Sequence, residues 1–410
     1  MRSSPVYYGW YVLAASAVSE MLVQGATSYA AGLFVLPLQS EFHISRTAAS
    51  LPLLILFGGA MLIAPLVGRL LDTKPIRLVV PLGGILLGAS FAGIAATHSL
   101  LVMALILLVP AAAAFMAAGP LNTSTLASRW FYRRLGLAQG LAAVATSGGS
   151  FTVVPLLGAA IQHHGWRPAL FYEGVIMSAL IVALALLVLR DRPSDIGLQE
   201  HPENQGRPSN SGNVERLRWL AILSSRAFWV PCLTLAAISA TCQAIVMTLV
   251  PYGVQLGMTS LAATLSISVF GIVAAITKVT AGLLADRVNK RALLIVAALS
   301  MTLSWLTLSI FVLPPALFVA AALAGLALGC VMPTSAGLVT KSFGSAHFGQ
   351  VMGCGYALLA ALLLSSVLFA AITFDRTRSY HIPFIAFAVA LAMVSLLVMT
   401  VPPIRKTSAA

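Results

Sequence analysis

A single lysine stands in a long apolar run in the second half of this sequence. Lys278 lies in GIVAAITKVTAGLLADRVNKR, residues 271–291, eight residues before Asp286. If this run is a membrane helix, a rise of about 1.5 Å per residue puts the ammonium roughly 12 Å from the charged end, near mid-membrane. A cation at that depth costs about 2.5–3.5 kcal/mol or more unless it faces water or a partner. We interpret Lys278 as a ligand for an anion in a central cavity; the alternative is a structural lysine paired with a buried acid.

Glu20 is the acidic residue that could act together with this lysine. It lies ten residues after Trp10, so roughly 15 Å into the first apolar run if that run is a helix. One interpretation is a structural acid, protonated or hydrogen-bonded to Gln24 one turn further on. The other is a proton carrier, because an anion bound to Lys278 would displace Glu20 from the ammonium and favour its protonation. Both interpretations stay open, and the second assigns proton coupling to Glu20 and Lys278.

Uncharged polar residues in other apolar runs extend the candidate site. Asn122 and Tyr356 each lie about 10 Å from the charged end of their run, at a depth close to that of Lys278. Polar side chains between packed membrane helices also serve as structural contacts worth roughly 0.6 kcal/mol each, which is the alternative for every one of them. The predicted substrate-binding set is Lys278, Asn122, Tyr356, Tyr29, Gln24 and Thr334.

Membrane-spanning helices must position these residues, because the composition excludes an ordinary soluble fold. Hydrophobic residues make up 59% of the chain and charged residues only 9%, against about 25% charged residues in a soluble globular chain. Apolar runs of about 20 residues, enough to cross roughly 30 Å of hydrocarbon, recur along the sequence. We predict twelve spans, numbered in chain order, with centres near residues 22, 58, 89, 113, 148, 179, 241, 272, 302, 328, 361 and 391.

The net charge of +13 follows the predicted topology. Of the 24 Lys and Arg residues, 19 fall on the side of the spans that carries both termini and the long central loop. The opposite side carries four, and Lys278 is the remaining one. The positive-inside rule therefore predicts that both termini and this loop are cytoplasmic, and it removes the basic charge as an argument for nucleic-acid binding.

The two halves of the sequence repeat each other. After span two comes GRLLDTKPIR and after span eight comes GLLADRVNKR, so that Asp72 and Asp286 lie 214 residues apart. The loops after spans four and ten also correspond, with Gly136 and Gly349 separated by 213 residues. Two matches at nearly one offset are typical of transporters that rock two bundles about a central site.

A long hydrophilic link separates the two halves. It is rich in Pro, Gly, Asn and charged residues, which is typical of a flexible connector. The predicted organisation is an N-terminal six-helix bundle over 1–189, a cytoplasmic linker over 190–226 and a C-terminal six-helix bundle over 227–410.

The charges in the repeated loops are predicted to form a cytoplasmic gate. Asp72 with Arg77, and Asp286 with Arg287 and Arg291, would be ion pairs between neighbouring helices that hold this end closed. Exposed pairs are worth only about 0–1 kcal/mol each, which suits a switch that opens repeatedly. The alternative is that they only anchor the helix ends in the membrane surface.

The repeated G-x-x-x-D-x-x-x-x-R loops resemble the signature of the major facilitator superfamily. Further stretches are similar to its monocarboxylate and oxalate/formate branch: YYGW, WFYRRLGLAQGLA, RDRPSDIGL, LVPYGVQLG and FDRTRSY. The resemblance covers the whole chain. It implies an all-α membrane fold of twelve helices in two pseudo-symmetric six-helix bundles.

The same resemblance implies a role for Lys278. Monocarboxylate transporters carry a cation on helix eight that binds the substrate carboxylate, and Lys278 falls at the matching place. The acid that the family often has one turn earlier is Ala274 here, and the histidine before LVPY is Thr248. Span eleven offers no second cation of the oxalate/formate type. We therefore expect a monoanion as substrate and proton coupling through Glu20.

The sequence thus predicts a secondary active transporter of a small organic monocarboxylate, coupled to protons by symport and working by alternating access. The alternative is a drug or organic-cation exporter, a proton antiporter with Glu20 as its main ligand. We expect a monomer in the lipid bilayer of the cytoplasmic (inner) membrane, with no removed signal peptide. We expect no enzyme activity, cofactor or metal, because no nucleophile–base pair or metal-type cysteine spacing is present.

Overall fold

Within the residues that the structure describes, the chain forms twelve helical rods at the predicted spans and contains no strands. The structure is a computed structural model that describes residues 7–44, 46–198, 219–258, 260–377 and 379–400. Spans two, three, five and six are Arg46–Thr73, Ile76–Ala96, Leu135–His164 and Trp166–Leu187. Spans seven to twelve are Arg226–Gln255, Ser260–Arg287, Lys290–Ile310, Pro314–Phe343, Phe348–Thr377 and His381–Thr400.

Spans one and four are not regular α-helices. Span one runs as α-helix Gly9–Gln24, π-helix Gly25–Tyr29, 3-10 helix Ala30–Phe34 and α-helix Val35–Phe42. Span four runs as Leu100–Ile106, the π-helix Leu107–Ala111, Ala112–Ala118 and Pro120–Trp130. It breaks where Gly119 takes a non-helical conformation and Pro120 begins the last segment, because proline cannot continue the hydrogen-bond ladder of a preceding helix.

Length and hydropathy identify these rods as membrane spans. Ten of the described helices are long and apolar enough to cross a membrane. Span one is divided by its change of helix type, and in the described part of span five Leu135–Val144 forms a shorter apolar stretch. The prediction of an all-helical membrane fold is confirmed.

The packing repeats between the halves. Span three packs on span six as span nine packs on span twelve. The halves meet where span two lies along span eleven and span five along span eight. The described parts of the predicted linker 190–226 form two short helices, Pro193–Ile196 and Trp219–Leu223, and its centre lies outside the described residues.

Candidate functional site

A cavity of about 290 Å³ lies between the two halves, and we call it the central cavity. Its walls come from spans one, two, four and five of the first half and from spans seven, eight, ten and eleven of the second. The polar residues that line it are Glu20, Gln24, Thr123, Ser124, Gln139, Ser239, Gln243, Lys278 and Tyr356.

Lys278 contributes a partly buried ammonium to this cavity. Its Nζ donates a hydrogen bond of 3.0 Å to the carbonyl oxygen of Ala143 on span five. The two helices touch backbone to backbone here, since a Cβ added to Gly140 would lie 2.3 Å from the Lys278 carbonyl oxygen. Lys278 and Glu20 line the same cavity without forming a salt bridge within 4.0 Å. The ammonium is therefore held by a neutral carbonyl of the other half, and an ammonium has three N–H donors in all.

Glu20 lies buried on span one, with 7% of its surface exposed. The hydroxyl of Thr123 on span four lies beside its carboxyl group and donates to the Ser16 carbonyl oxygen at 3.0 Å. Gln24, one turn further along span one, lines the same cavity. The acid thus sits at the contact of spans one and four, facing the chamber that also holds the lysine.

The structure adds polar cavity residues that sequence reasoning missed. Ser124 donates to the Gln139 side-chain oxygen at 3.1 Å, and the Gln139 amide donates to the Ser124 backbone carbonyl at 3.0 Å. Ser239 and Gln243 lie four residues apart on span seven, so they share one helix face. Polar residues four apart in an otherwise apolar run are the signal that could have identified this second pair.

Three of the six predicted substrate-binding residues do not line the central cavity. Asn122 is fully buried, and its amide atoms have no hydrogen-bond partner in the described part of the chain. Thr334 donates to the Cys330 carbonyl oxygen within its own helix at 2.7 Å. Tyr29 lies in the π-helical segment of span one and is 43% exposed. A substrate contact for any of them stays a prediction.

At one end of the bundle, the loops after spans two and eight contact the starts of spans eleven and five in the opposite half. We call this end the repeat end. Asp72, at the end of span two, accepts hydrogen bonds from the backbone N–H groups of Gly349 at 3.0 Å and Gln350 at 2.6 Å. These are first-turn amides of span eleven, which have no partner within their own helix. Arg129 lies 3.5 Å from the same carboxylate. Asp72 therefore caps a helix of the opposite half.

Asp286 makes the symmetry-related contact. Its two carboxylate oxygens accept from the backbone N–H groups of Gly136 at 2.6 Å and Leu137 at 2.9 Å, at the start of span five. Negative charge at a helix N-terminus is favourable, because the helix dipole is positive there. Each repeated aspartate thus ties its own half to the other.

The arginines of the repeated loops bind the C-terminal ends of helices. Arg77 donates to the carbonyl oxygen of Leu186 at 2.7 Å, near the end of span six. Arg291 donates to the carbonyl oxygens of Val398 and Met399, at the end of span twelve. Cations are favourable at helix C-termini, and both contacts stay within one half.

The pairing at the repeat end therefore differs from the predicted one. Asp72 does not pair with Arg77, and Asp286 does not pair with Arg291, because each arginine is turned toward a helix end in its own half. Arg287 is exposed to the surroundings. The contacts between halves use carboxylates and backbone amides, and sequence spacing alone could not distinguish these amides from the nearby guanidinium groups.

Replacing Asp72 or Asp286 by asparagine is expected to weaken the closed repeat end. A charge at a helix N-terminus is worth about 0.3–2 kcal/mol, so the ratio of closed to open forms should fall by up to about thirtyfold. Hydrogen–deuterium exchange would report this directly: D72N should speed exchange at Gly349 and Gln350.

A matched control is Asp191→Asn, because Asp191, at the start of the linker, accepts from the backbone N–H of Ile76 at 2.5 Å and makes no contact with the second half in this hydrogen bond. It should speed exchange at Ile76 and leave the amides between halves protected. Unchanged exchange at Gly349 in D72N would contradict the capping role.

Known proteins resemble the whole or a part of this chain. It is 24% identical over 420 residues to the uncharacterized MFS-type transporter YcxA of Bacillus subtilis, covering 100% of this chain and 98% of that one. It is 26% identical to the oxalate:formate antiporter of Oxalobacter formigenes over 63% of this chain and 59% of that protein. A mouse protein, monocarboxylate transporter 14, is 26% identical over 44% of this chain and 35% of its own length.

Solved structures share the fold. A double-tryptophan mutant of XylE superimposes with a TM-score of 0.71 at 14% identity, covering 98% of this chain and 97% of that one. The sequence profile of the Major Facilitator Superfamily matches residues 17–354 and 248–409. Members of this family are transporters of small molecules and not enzymes. The chain therefore belongs to the Major Facilitator Superfamily and is a multi-pass membrane transporter.

Proposed function

We propose that this transporter carries a small organic monocarboxylate together with a proton. The observation that carries the proposal is the ammonium of Lys278 at the wall of the central cavity, bound to the neutral Ala143 carbonyl and not to an acid. A mid-membrane cation is costly unless something compensates its charge. A carboxylate that enters the cavity supplies that compensation and forms a charge-assisted hydrogen bond.

The charge of the cavity favours a monoanion. Lys278 is the single Lys or Arg among the described residues that line it. A dianion would bring a second carboxylate into the same chamber, where an unpaired charge is expensive to bury. The names of two relatives, a monocarboxylate transporter and an oxalate:formate antiporter, support small carboxylates as the substrate class.

Proton coupling follows from placing Glu20 and Lys278 in one chamber. With the cavity empty, the ammonium stabilises the ionised form of Glu20 across the cavity. A substrate carboxylate neutralises the ammonium, and the buried acid is then more easily protonated. The loaded carrier holds one anion and one proton, which is the stoichiometry of electroneutral symport.

The excess of basic residues on one side supports a cytoplasmic membrane protein with both termini and the linker 190–226 in the cytoplasm. On this topology the repeat end faces the cytoplasm. With that end closed, the cavity is shut off from the cytoplasm, and rocking of the two halves would open it to that side. We propose that the monomer is sufficient, since the cavity lies within one chain.

Uptake by the purified protein in proteoliposomes tests the proposal. A panel of labelled monocarboxylates would be offered with and without an imposed pH gradient, together with labelled organic cations. We expect uptake of at least one monocarboxylate, accelerated by acid on the side of entry. Transport of cations alone, opposed by the same gradient, would favour the proton-antiporting exporter and overturn the symport proposal.

Glu20→Gln is expected to remove the pH dependence of uptake while anion exchange between the two sides continues. Glutamine keeps the size and polarity of the side chain but binds no proton. Initial rates between about pH 5 and pH 8 would be compared with those of the native protein.

The matched control is Glu173→Gln, because Glu173 is also a buried acid but does not line the central cavity. Its substitution should leave the pH profile unchanged. If E20Q keeps the native profile and E173Q loses it, Glu173 carries the proton and the assignment to Glu20 is wrong.

A further inference from the structure

Several polar side chains line the part of the central cavity that is nearest the repeat end. Counting about 1.5 Å per residue from the helix ends at the repeat end puts Gln139 about 6 Å, Ser124 about 9 Å, Tyr356 about 12 Å and Lys278 about 13.5 Å into the bundle. These four residues form a level that we call the polar floor. It comes from spans four, five, eight and eleven, and it includes the single cation of the lining.

Apolar side chains line the cavity further from the repeat end. By the same count Val331 and Leu359 lie about 16–18 Å deep, and Leu363, Phe115 and Phe57 about 22–24 Å deep. We call these five residues the apolar wall. Both halves contribute to it, and the rings of Phe57 and Phe115 pack edge to face with centroids 6.0 Å apart.

We infer that the carried monocarboxylate has a compact apolar body, such as one aromatic ring or a branched alkyl chain. It binds with its carboxylate on the polar floor and its body against the apolar wall. This inference rests on the proposed function, because it takes Lys278 as the carboxylate ligand. It narrows the substrate class from monocarboxylates in general to amphipathic ones.

Size and hydration support this class over the smallest acids. The cavity of about 290 Å³ is about twice the size of an apolar cavity of about 150 Å³ that binds benzene, so it has room for a solute with one aromatic ring. Formate or acetate bound at Lys278 would leave the apolar wall in contact with water. Each methylene buried there should tighten binding about fourfold, because apolar surface is removed from water.

Polar groups also line the cavity at the depth of the apolar wall. Glu20 and Gln24 on span one, and Ser239 and Gln243 on span seven, line the cavity beside the apolar wall. They belong to different helices from the wall, which comes from spans two, four, ten and eleven. Span one packs against spans four and five, and span seven packs against spans ten and eleven, so these polar side chains lie on two separate parts of the lining, each beside part of the apolar wall.

Competition in proteoliposomes tests the inference with the full-length transporter. Uptake of labelled phenylacetate and of labelled acetate would each be competed with unlabelled acetate, butyrate, 4-methylpentanoate and phenylacetate. We expect half-inhibiting concentrations to fall along this series, by at least about tenfold from acetate to phenylacetate. The neutral 2-phenylethanol should compete weakly, because it lacks the carboxylate.

The outcomes distinguish a failure of this inference from a failure of the proposed function. Uptake of acetate but not of phenylacetate would overturn the amphipathic class and leave the monocarboxylate transporter standing. Absence of uptake for every carboxylate, or preference for phenylethylammonium, would overturn both.

A substitution in the wall provides a second test. Ala360, buried next to Leu359 and lining the cavity at the same depth, can be replaced by phenylalanine to fill the space of the apolar body. A360F should reduce phenylacetate uptake at least tenfold more than acetate uptake, and the smaller Ala360→Val should do the same to a lesser degree. Val389→Phe, on the exposed surface of span twelve, is the matched control and should change neither. Equal losses for both acids in A360F and A360V would overturn the inference.

Discussion

Replacing Lys278 by methionine is expected to abolish saturable uptake of the carried anion. Methionine keeps an unbranched side chain of similar length but has no charge and no N–H donor. Loss of a hydrogen-bonded charge partner in a buried site costs about 2–5 kcal/mol, which corresponds to a loss in affinity of at least about thirtyfold. Equilibrium binding and initial uptake rates, measured on the same preparation, would detect this loss.

The fold of K278M should remain intact. The ammonium makes a single described hydrogen bond, to the Ala143 carbonyl, and removing a buried cation also removes the cost of its desolvation. We expect the midpoint of thermal unfolding to stay the same or to rise. Lys278→Arg should keep part of the uptake because the charge remains, although a guanidinium differs from a compact ammonium in geometry.

Lys341→Met is the matched control, since Lys341 lies exposed in the last turn of span ten. Native uptake in K278M would contradict the role of this lysine as substrate ligand. If E20Q instead abolished binding while K278M did not, the cation exporter would become the better explanation.

Gly68→Ala is the second substitution for which we expect a large effect. A Cβ at Gly68 would lie 2.1 Å from the carbonyl oxygen of Gly349 and 2.7 Å from its carbonyl carbon. Both atoms are backbone, so spans two and eleven have to separate. The hydrogen bonds that the Gly349 and Gln350 amides donate to Asp72 are then strained or lost. Overpacking typically costs about 1–3 kcal/mol, so the closed form should lose at least about fivefold in population.

Uptake and hydrogen–deuterium exchange together would check this expectation. G68A should show faster exchange at the start of span eleven and a transport rate reduced about tenfold. Gly271→Ala provides the control, because a Cβ at Gly271, on span eight, has nothing within 4 Å. Similar behaviour of the two variants would show that the contact of spans two and eleven does not limit the transport cycle.

Much of the fold could be predicted from the sequence, because the signals for it are local or periodic. An apolar run of sufficient length predicts a span wherever it occurs, since every backbone polar group in lipid must be satisfied within its own helix. The depths of Lys278 and Glu20 follow from counting residues along one helix. The repeated loops around Asp72 and Asp286 predicted two related halves. In the structure Asp72 contacts the start of span eleven and Asp286 contacts the start of span five, each in the opposite half.

Only the tertiary structure decided which side chains face the central cavity. Lys278 and Tyr356 reach the central cavity, whereas Asn122 and Thr334, at similar depths, do not line it. In a soluble helix the apolar stripe shows which face is buried. Lipid and the protein interior are both apolar, so the same stripe in a membrane helix does not distinguish them. The sequence by itself therefore determined the spans, their order and the depth of the charged groups, while packing of the helices decided which of those groups share one chamber.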